Sequence, residues 1–192
     1  MRSAHLSQFV AAVAAISLSC SAFAAGPALS QHDQNFIDRA WNINTTEIRL
    51  GDIAQQRPTN ADVKAFGKRM VTDHTKLNQE LTSLAKEHGA VLPQALNQKH
   101  QELIDKLSKL SGSDFDKQYM TAMIEGHQNA VAAFEKESKN AAQSAVDKWA
   151  GQATPTLNEH LQLAQKTGKE VGASVPEGTA IPAAHEEHPR TK

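Results

Sequence analysis

Apolar side chains recur every three or four residues along most of this chain, the spacing of one helical face turning about 100° per residue. β-Branched runs are absent. The pattern predicts four long helices of about 23–30 residues and one shorter helical segment. Helix A runs from Asp33 to Gln56 and is stopped by Pro58. Thr59, with Asp62 three residues on, has the form of a capping box that opens helix B. Helix B reaches His88, where Gly89 suits a left-handed cap and Pro93 prevents continuation. Residues 94–110 form the shorter segment. Ser113 with Asp116 starts helix C, which runs to Asn140. Ser144 with Asp147 starts helix D, which ends near Gly168. Pro155 falls inside helix D and is expected to kink it or divide it after Thr154.

Four long amphipathic helices pack most naturally as a four-helix bundle. The short segment would span about 24 Å at 1.5 Å per residue, most of the length of a bundle. That is the connection an up-down-down-up bundle needs and an up-down-up-down bundle does not. The expected division is a signal peptide over 1–24, a linker over 25–33, the bundle over 34–168 and a disordered tail over 169–192. The tail is rich in Gly and Pro and poor in apolar side chains. Its "HEEH", at His185 and His188, is not H-E-x-x-H and reads as solvated.

The apolar faces carry one anomaly each. In helix B, Val63, Gly67, Met70, Leu77 and Leu81 define the face, and the stretch "AFGKRMVTDHTKL" sets His74 at its centre with Asp73 at the edge. In helix C, His127 lies in the stripe of Phe115, Tyr119, Met123, Ala130 and Phe134, while Glu125 points away. In helix D, His160 lies among Val146, Trp149, Ala153, Leu157 and Ala164, with Glu159 off the stripe. In helix A, Glu47 sits between Phe36, Ala40, Ile43, Gly51 and Ala54, with Asn44 beside it. An internal echo links two of them, since Phe66-x3-Met70-x3-His74 matches Tyr119-x3-Met123-x3-His127. Each helix therefore sends one ligand-type side chain inward, where an unpaired polar group is costly. Counted from the A–B turn, Glu47 and His74 differ in height by about 8–9 Å. Uneven helix ends would absorb this; otherwise the four groups form two pairs.

Composition narrows the chemistry. The chain has 192 residues, 20 basic and 21 acidic, and no basic stripe with interleaved aromatics, which argues against a nucleic-acid partner. "MRSAHLSQFVAAVAAISLSCSAFA" has a cationic start, an apolar run from Phe9 to Leu18 and a small-x-small end, and is read as an export signal cleaved after Ala24. The run is too short for a membrane span in the mature protein. Lipid modification at Cys20 is the lesser alternative, because Ser occupies the place where Leu is usual. The expected location is periplasmic or secreted. The one cysteine is removed with the signal, which excludes disulfides, thiolate metal sites and a catalytic thiol. Neither a P-loop, a Gly-rich fingerprint nor a Ser/His/Asp order is present, and no catalytic residue is assigned.

Two readings of the inward polar set follow. In one, Glu47, His74, His127 and His160 hold a single transition-metal ion, a donor set that suits Fe, Mn, Zn, Ni or Cu, with Asp73, Asn44 and Tyr119 around it. Met70 and Met123 would add thioethers for Cu(I), although Met in a helix stripe is more often core. In the other, the same groups form only a hydrogen-bond network that sets register, and the protein is a non-enzymatic structural or stress-associated envelope module. If an ionised Glu47 paired with a buried His, that His would have a raised pKa. A non-covalent haem held by His and Met ranks below both.

"MVTDH" in helix B, "LSGSDFDKQYM" with the following "GH" in helix C, and "TLNEH" in helix D resemble an exported bacterial family known only as a domain of unknown function and grouped with the ferritin-like folds. The likeness spans Phe36 to Thr167. It implies a ferritin-like bundle with a crossover between helices B and C, and no activity. The di-iron ferritin pattern needs Glu three residues before each of two His. Here Val71, Ile124 and Leu157 precede His74, His127 and His160.

Overall fold

A computed structural model describes residues 29–57 and 60–173. It contains five helices: α1 (Gln31–Gln56), α2 (Ala61–His88), α3 (Gln98–Ser108), α4 (Gly112–Ser138) and α5 (Ala145–Glu170). The stretch read as an export signal, Thr59 and the tail beyond residue 173 lie outside the described residues.

Local chemistry sets the helix ends. Ser30 caps α1 two residues earlier than the periodicity predicts, with Asp33 as its reciprocal partner. α2 is capped by Asn60, whose side chain accepts from the backbone N–H groups of Asp62 and Val63. Gly89 closes α2 at φ 70, the left-handed cap expected of it. α4 starts after Ser111, so Ser113 lies inside its first turn. Ser144 and Asp147 form the predicted capping box of α5. Pro155 sits within α5 without dividing it. That helix runs on to Glu170, and Val171 and Ala173 pack against the core, so the first residues assigned to the tail belong to the bundle.

The core has two apolar clusters, one in each half. The upper one gathers Leu50 and Ala54 from the end of α1, Val63, Phe66 and Met70 from the start of α2, Phe115, Tyr119 and Met123 from the start of α4, and Ala164 from the end of α5. The lower one gathers Phe36, Ile37 and Ala40 from α1, Leu77 and Leu81 from α2, Ala130 and Phe134 from α4, and Val146 to Leu157 from α5. The helices therefore run up, down, down and up, the ferritin-like order. Met70 and Met123 are packed as core in the upper cluster.

The crossover climbs beside α1. Gln34 holds Val91, Asn42 accepts from the N–H of Asn97, Arg49 reaches Gln101, and the Arg57 guanidinium donates to the Leu110 carbonyl. Only its upper part is helical: α3 has 11 residues instead of the 17 of the 94–110 segment, because Asn97 caps it late after Pro93. Ile104 and Leu107 turn inward to cover the upper cluster. α1 and α2 pack with backbone almost in contact: a Cβ on Gly51 would lie 2.6 Å from the Gly67 carbonyl oxygen. That approach is why the two glycines stand on otherwise apolar faces. No helix among the described residues is long and apolar enough to cross a membrane.

Candidate metal centre

Between the two apolar clusters lies a polar layer. His74, His127 and His160 reach it from α2, α4 and α5 and are 0%, 1% and 0% exposed. One ring nitrogen of each lies within 4.8 Å of the others. Their ring centroids are 5.7 Å (74 to 127), 5.2 Å (74 to 160) and 5.3 Å (127 to 160) apart.

One nitrogen of each ring is tied to a fixed oxygen. His74 Nδ1 bonds Asn44 Oδ1 at 2.9 Å, His127 Nδ1 bonds the Met123 carbonyl at 2.8 Å, and His160 Nε2 bonds Asp73 Oδ2 at 2.9 Å. Those oxygens accept, so the ring nitrogens facing them donate. The second nitrogens, His74 Nε2, His127 Nε2 and His160 Nδ1, then carry bare lone pairs. All three are buried without a hydrogen-bond partner. Lone pairs cannot satisfy one another, and three gathered acceptors in a dry layer are expensive unless a Lewis acid or donor joins them.

Electrostatics keeps the rings neutral. Burial, followed by the mutual proximity of the imidazoles, lowers His74 well below its usual value. The same causes bring His127 down to about 3, against the Met123 carbonyl, which favours the charged form. Burial also lowers His160, although Asp73 opposes the shift. The raised histidine pKa expected of a Glu47 ion pair is therefore not found. Neutral imidazole is the form that ligates a metal.

Glu47 stands outside the three-histidine group. It faces Gly126, 3.6 Å from where a Cβ there would sit. The reason is register. The residue of α1 level with His74 is Asn44, and Glu47 lies three residues, about 4.5 Å, further up. Burial raises its carboxyl to about 8, and its Oε2 has no partner. Tyr119, also fully buried and unpartnered at its hydroxyl, is pushed well up by burial and then by Glu47.

Only one of the three rings is linked to the surface. Asp73, behind His160, is also bonded by Arg69, which reaches Glu159 at 3.0 Å. Burial alone would raise Asp73, but bonds from His160 and Arg69 hold it below the usual carboxylate range. Its outer side lines a cleft of about 340 Å³ between α2 and α5, with Arg69, Lys76, Gln152 and Thr156. The Met123 carbonyl that orients His127 is a partner the periodicity does not single out, though any helical His four residues on can reach such a carbonyl. The sequence reading also passed over a second group, Asp33, Glu137 and Asp147, at the lower end of the bundle.

Comparison with known proteins bears on the fold. A crystal structure of a DUF305 fragment from Deinococcus radiodurans is similar, with a TM-score of 0.66 and 15% identity over 76% of this chain and 99% of that one. At that identity the likeness concerns the bundle alone. No curated protein matches the chain. Residues 18–167 match the family described as Domain of unknown function (DUF4142), and the chain belongs to that family.

Proposed function

We propose that this bundle is a metal-binding protein that takes up one transition-metal ion, of the class of Fe, Mn, Zn or Cu, on His74, His127 and His160. The observation that carries the reading is the set of three buried ring nitrogens without a partner, each on a neutral imidazole whose other nitrogen is already engaged. Borderline divalent ions favour imidazole donors, and hydrogen bonds behind each ring orient it and raise its basicity. A cation in the layer would favour the ionised form of Glu47 and draw that carboxylate into the ligand set. With no cysteine left after export, the ion would also be the one covalent-like tie between α2, α4 and α5. The setting proposed for this is the periplasm, after cleavage near Ala24. A purely structural network is less well supported, because it leaves the three lone pairs without donors.

Elemental analysis of mature protein after dialysis tests the reading. Wild type is expected to retain about one equivalent, and His74→Ala none. Wild type that stays metal-free and melts unchanged on addition of Zn, Fe, Mn or Cu sinks it.

A further inference from the structure

A second buried polar cluster lies at the lower end, where α1 and α5 begin and α4 ends. Asp33, Glu137 and Asp147 come from these three helices, and one oxygen of each lies within 4.8 Å of the others. Their exposures are 5%, 5% and 1%. Asp33 is fully engaged: Oδ1 accepts from Ser144 Oγ at 2.6 Å, and Oδ2 from Ser30 N and Oγ at 2.9 and 2.6 Å. Asp147 Oδ2 accepts from Ser144 N at 2.7 Å, and Glu137 Oε2 meets His32 Nε2 at 3.0 Å. Two oxygens remain, Asp147 Oδ1 and Glu137 Oε1, shielded from solvent and without any donor.

Helix capping accounts for two of the three carboxylates. Asp33 and Asp147 close capping boxes, and the positive ends of α1 and α5 offset part of their charge. Glu137 has no such reason to be there. It comes from the last turn of α4, the negative end of a helix, and its charge faces Asp147 and Asp33, with the imidazole of the exposed His32 on the other side. A third carboxylate is thus turned into a site that repels it, and both it and Asp147 keep one unpartnered, buried oxygen in a cluster whose carboxylates lie within 4.8 Å of one another.

We propose that Asp33, Glu137 and Asp147 form a site for a hard divalent cation of the calcium or magnesium class, tying the starts of α1 and α5 to the end of α4. All-oxygen carboxylate donors are what such ions take, and the two orphaned oxygens are the positions the ion satisfies. The site is independent of the histidine layer in residues and in chemistry.

The test uses mature protein stripped with chelator. Calcium or magnesium at millimolar concentration is expected to raise the melting temperature saturably by several degrees. Terbium should give sensitised luminescence on tryptophan excitation, since Trp149 lies two residues beyond Asp147, and calcium should displace it. Both responses should be lost in Glu137→Gln and Asp147→Asn and kept in His74→Ala. His32→Ala, at an exposed position, keeps all three carboxylates and frees Glu137 Oε2 from its imidazole partner, and should tighten binding severalfold. The proposal is overturned if stripped wild type shows no saturable response to any of the three ions, or if Glu137→Gln responds as wild type does. It is equally overturned if Glu137→Gln is more stable than wild type while wild type ignores the ions, because a proton shared by Glu137 and Asp147 then does the work. Should Glu137→Gln fail to fold, the wild-type terbium displacement and the His32→Ala affinity decide.

Discussion

The histidine layer and the carboxylate cluster are both buried, both built from three helices, and both left with unpartnered atoms, yet they resolve burial in opposite ways. In the middle, three bases become neutral: desolvation, joined at His74 and His127 by the neighbouring imidazoles, strips their protons and leaves lone pairs. At the lower end, two acids sit at helix N-termini against serine groups, and Asp33 is held low by its bonds to Ser144 and Ser30 against the burial that would raise it. Glu137 goes the other way and is raised, by burial first. The contrast teaches that position along a bundle selects donor type. Mid-bundle, all backbone N–H groups are spent on the helices, so only a neutral ligand is cheap. At a helix start, free N–H groups make a carboxylate affordable.

The sharpest way to break that comparison is a double exchange. His127→Ala should abolish transition-metal retention and leave the calcium response intact. Glu137→Gln should do the reverse, with both read by elemental analysis and by melting with each ion. Parallel loss of both responses in either variant would mean that the two regions are one unstable unit.

Asp73→Ala comes next in size. It removes the acceptor that orients His160 and the surface ion pair with Arg69, but no proposed ligand. Losing such a supporting partner typically weakens metal binding by about 10–100-fold, and competition titration against a chromophoric chelator measures it.

Smaller and opposite effects are expected from pH in the presence of chelator. The folded chain refuses protons at the three histidines that the unfolded chain accepts near 6.5. Their favourable contribution is therefore fully present above about 6.5 and lost as pH falls below it, towards the low folded values. Glu47 acts on the other flank. With its folded carboxyl near 8 and an ordinary value of 4.5, it erodes stability as pH rises between those limits. Because apo protein and metal complex both weaken in acid, the acid limb alone does not reveal an ion; the difference between melting curves with and without chelator does.

Glu47→Gln should produce the smallest change. The apo protein should melt higher than wild type above pH 8, where Gln carries no charge to bury, and the alkaline slope should flatten. Metal affinity should fall less than in any histidine variant, because Glu47 lies outside the three-histidine group. An affinity loss as large as that of His127→Ala would place the carboxylate among the principal ligands.

Much of this was legible in one dimension. Periodicity predicts the four long helices and their inward faces, and the three histidines on those faces do meet. Prediction failed where one residue decided a boundary: Asn60 caps α2, and Asn97 delayed α3. It also missed the lower carboxylates. Asp33 and Asp147 look like ordinary capping residues, and Glu137 like a surface charge near a helix end, until three helix ends are brought together.

The sequence by itself determined which side chains face the core, because a helix has a fixed angular period and burial rewards a continuous apolar stripe. It also determined the need for a long crossover. Height was decided only by tertiary structure. The near-contact of Gly51 with Gly67 sets how α1 slides along α2, and in that register Asn44, not Glu47, stands level with His74. Angular position is a local property of each helix; axial register is settled only when two helices pack.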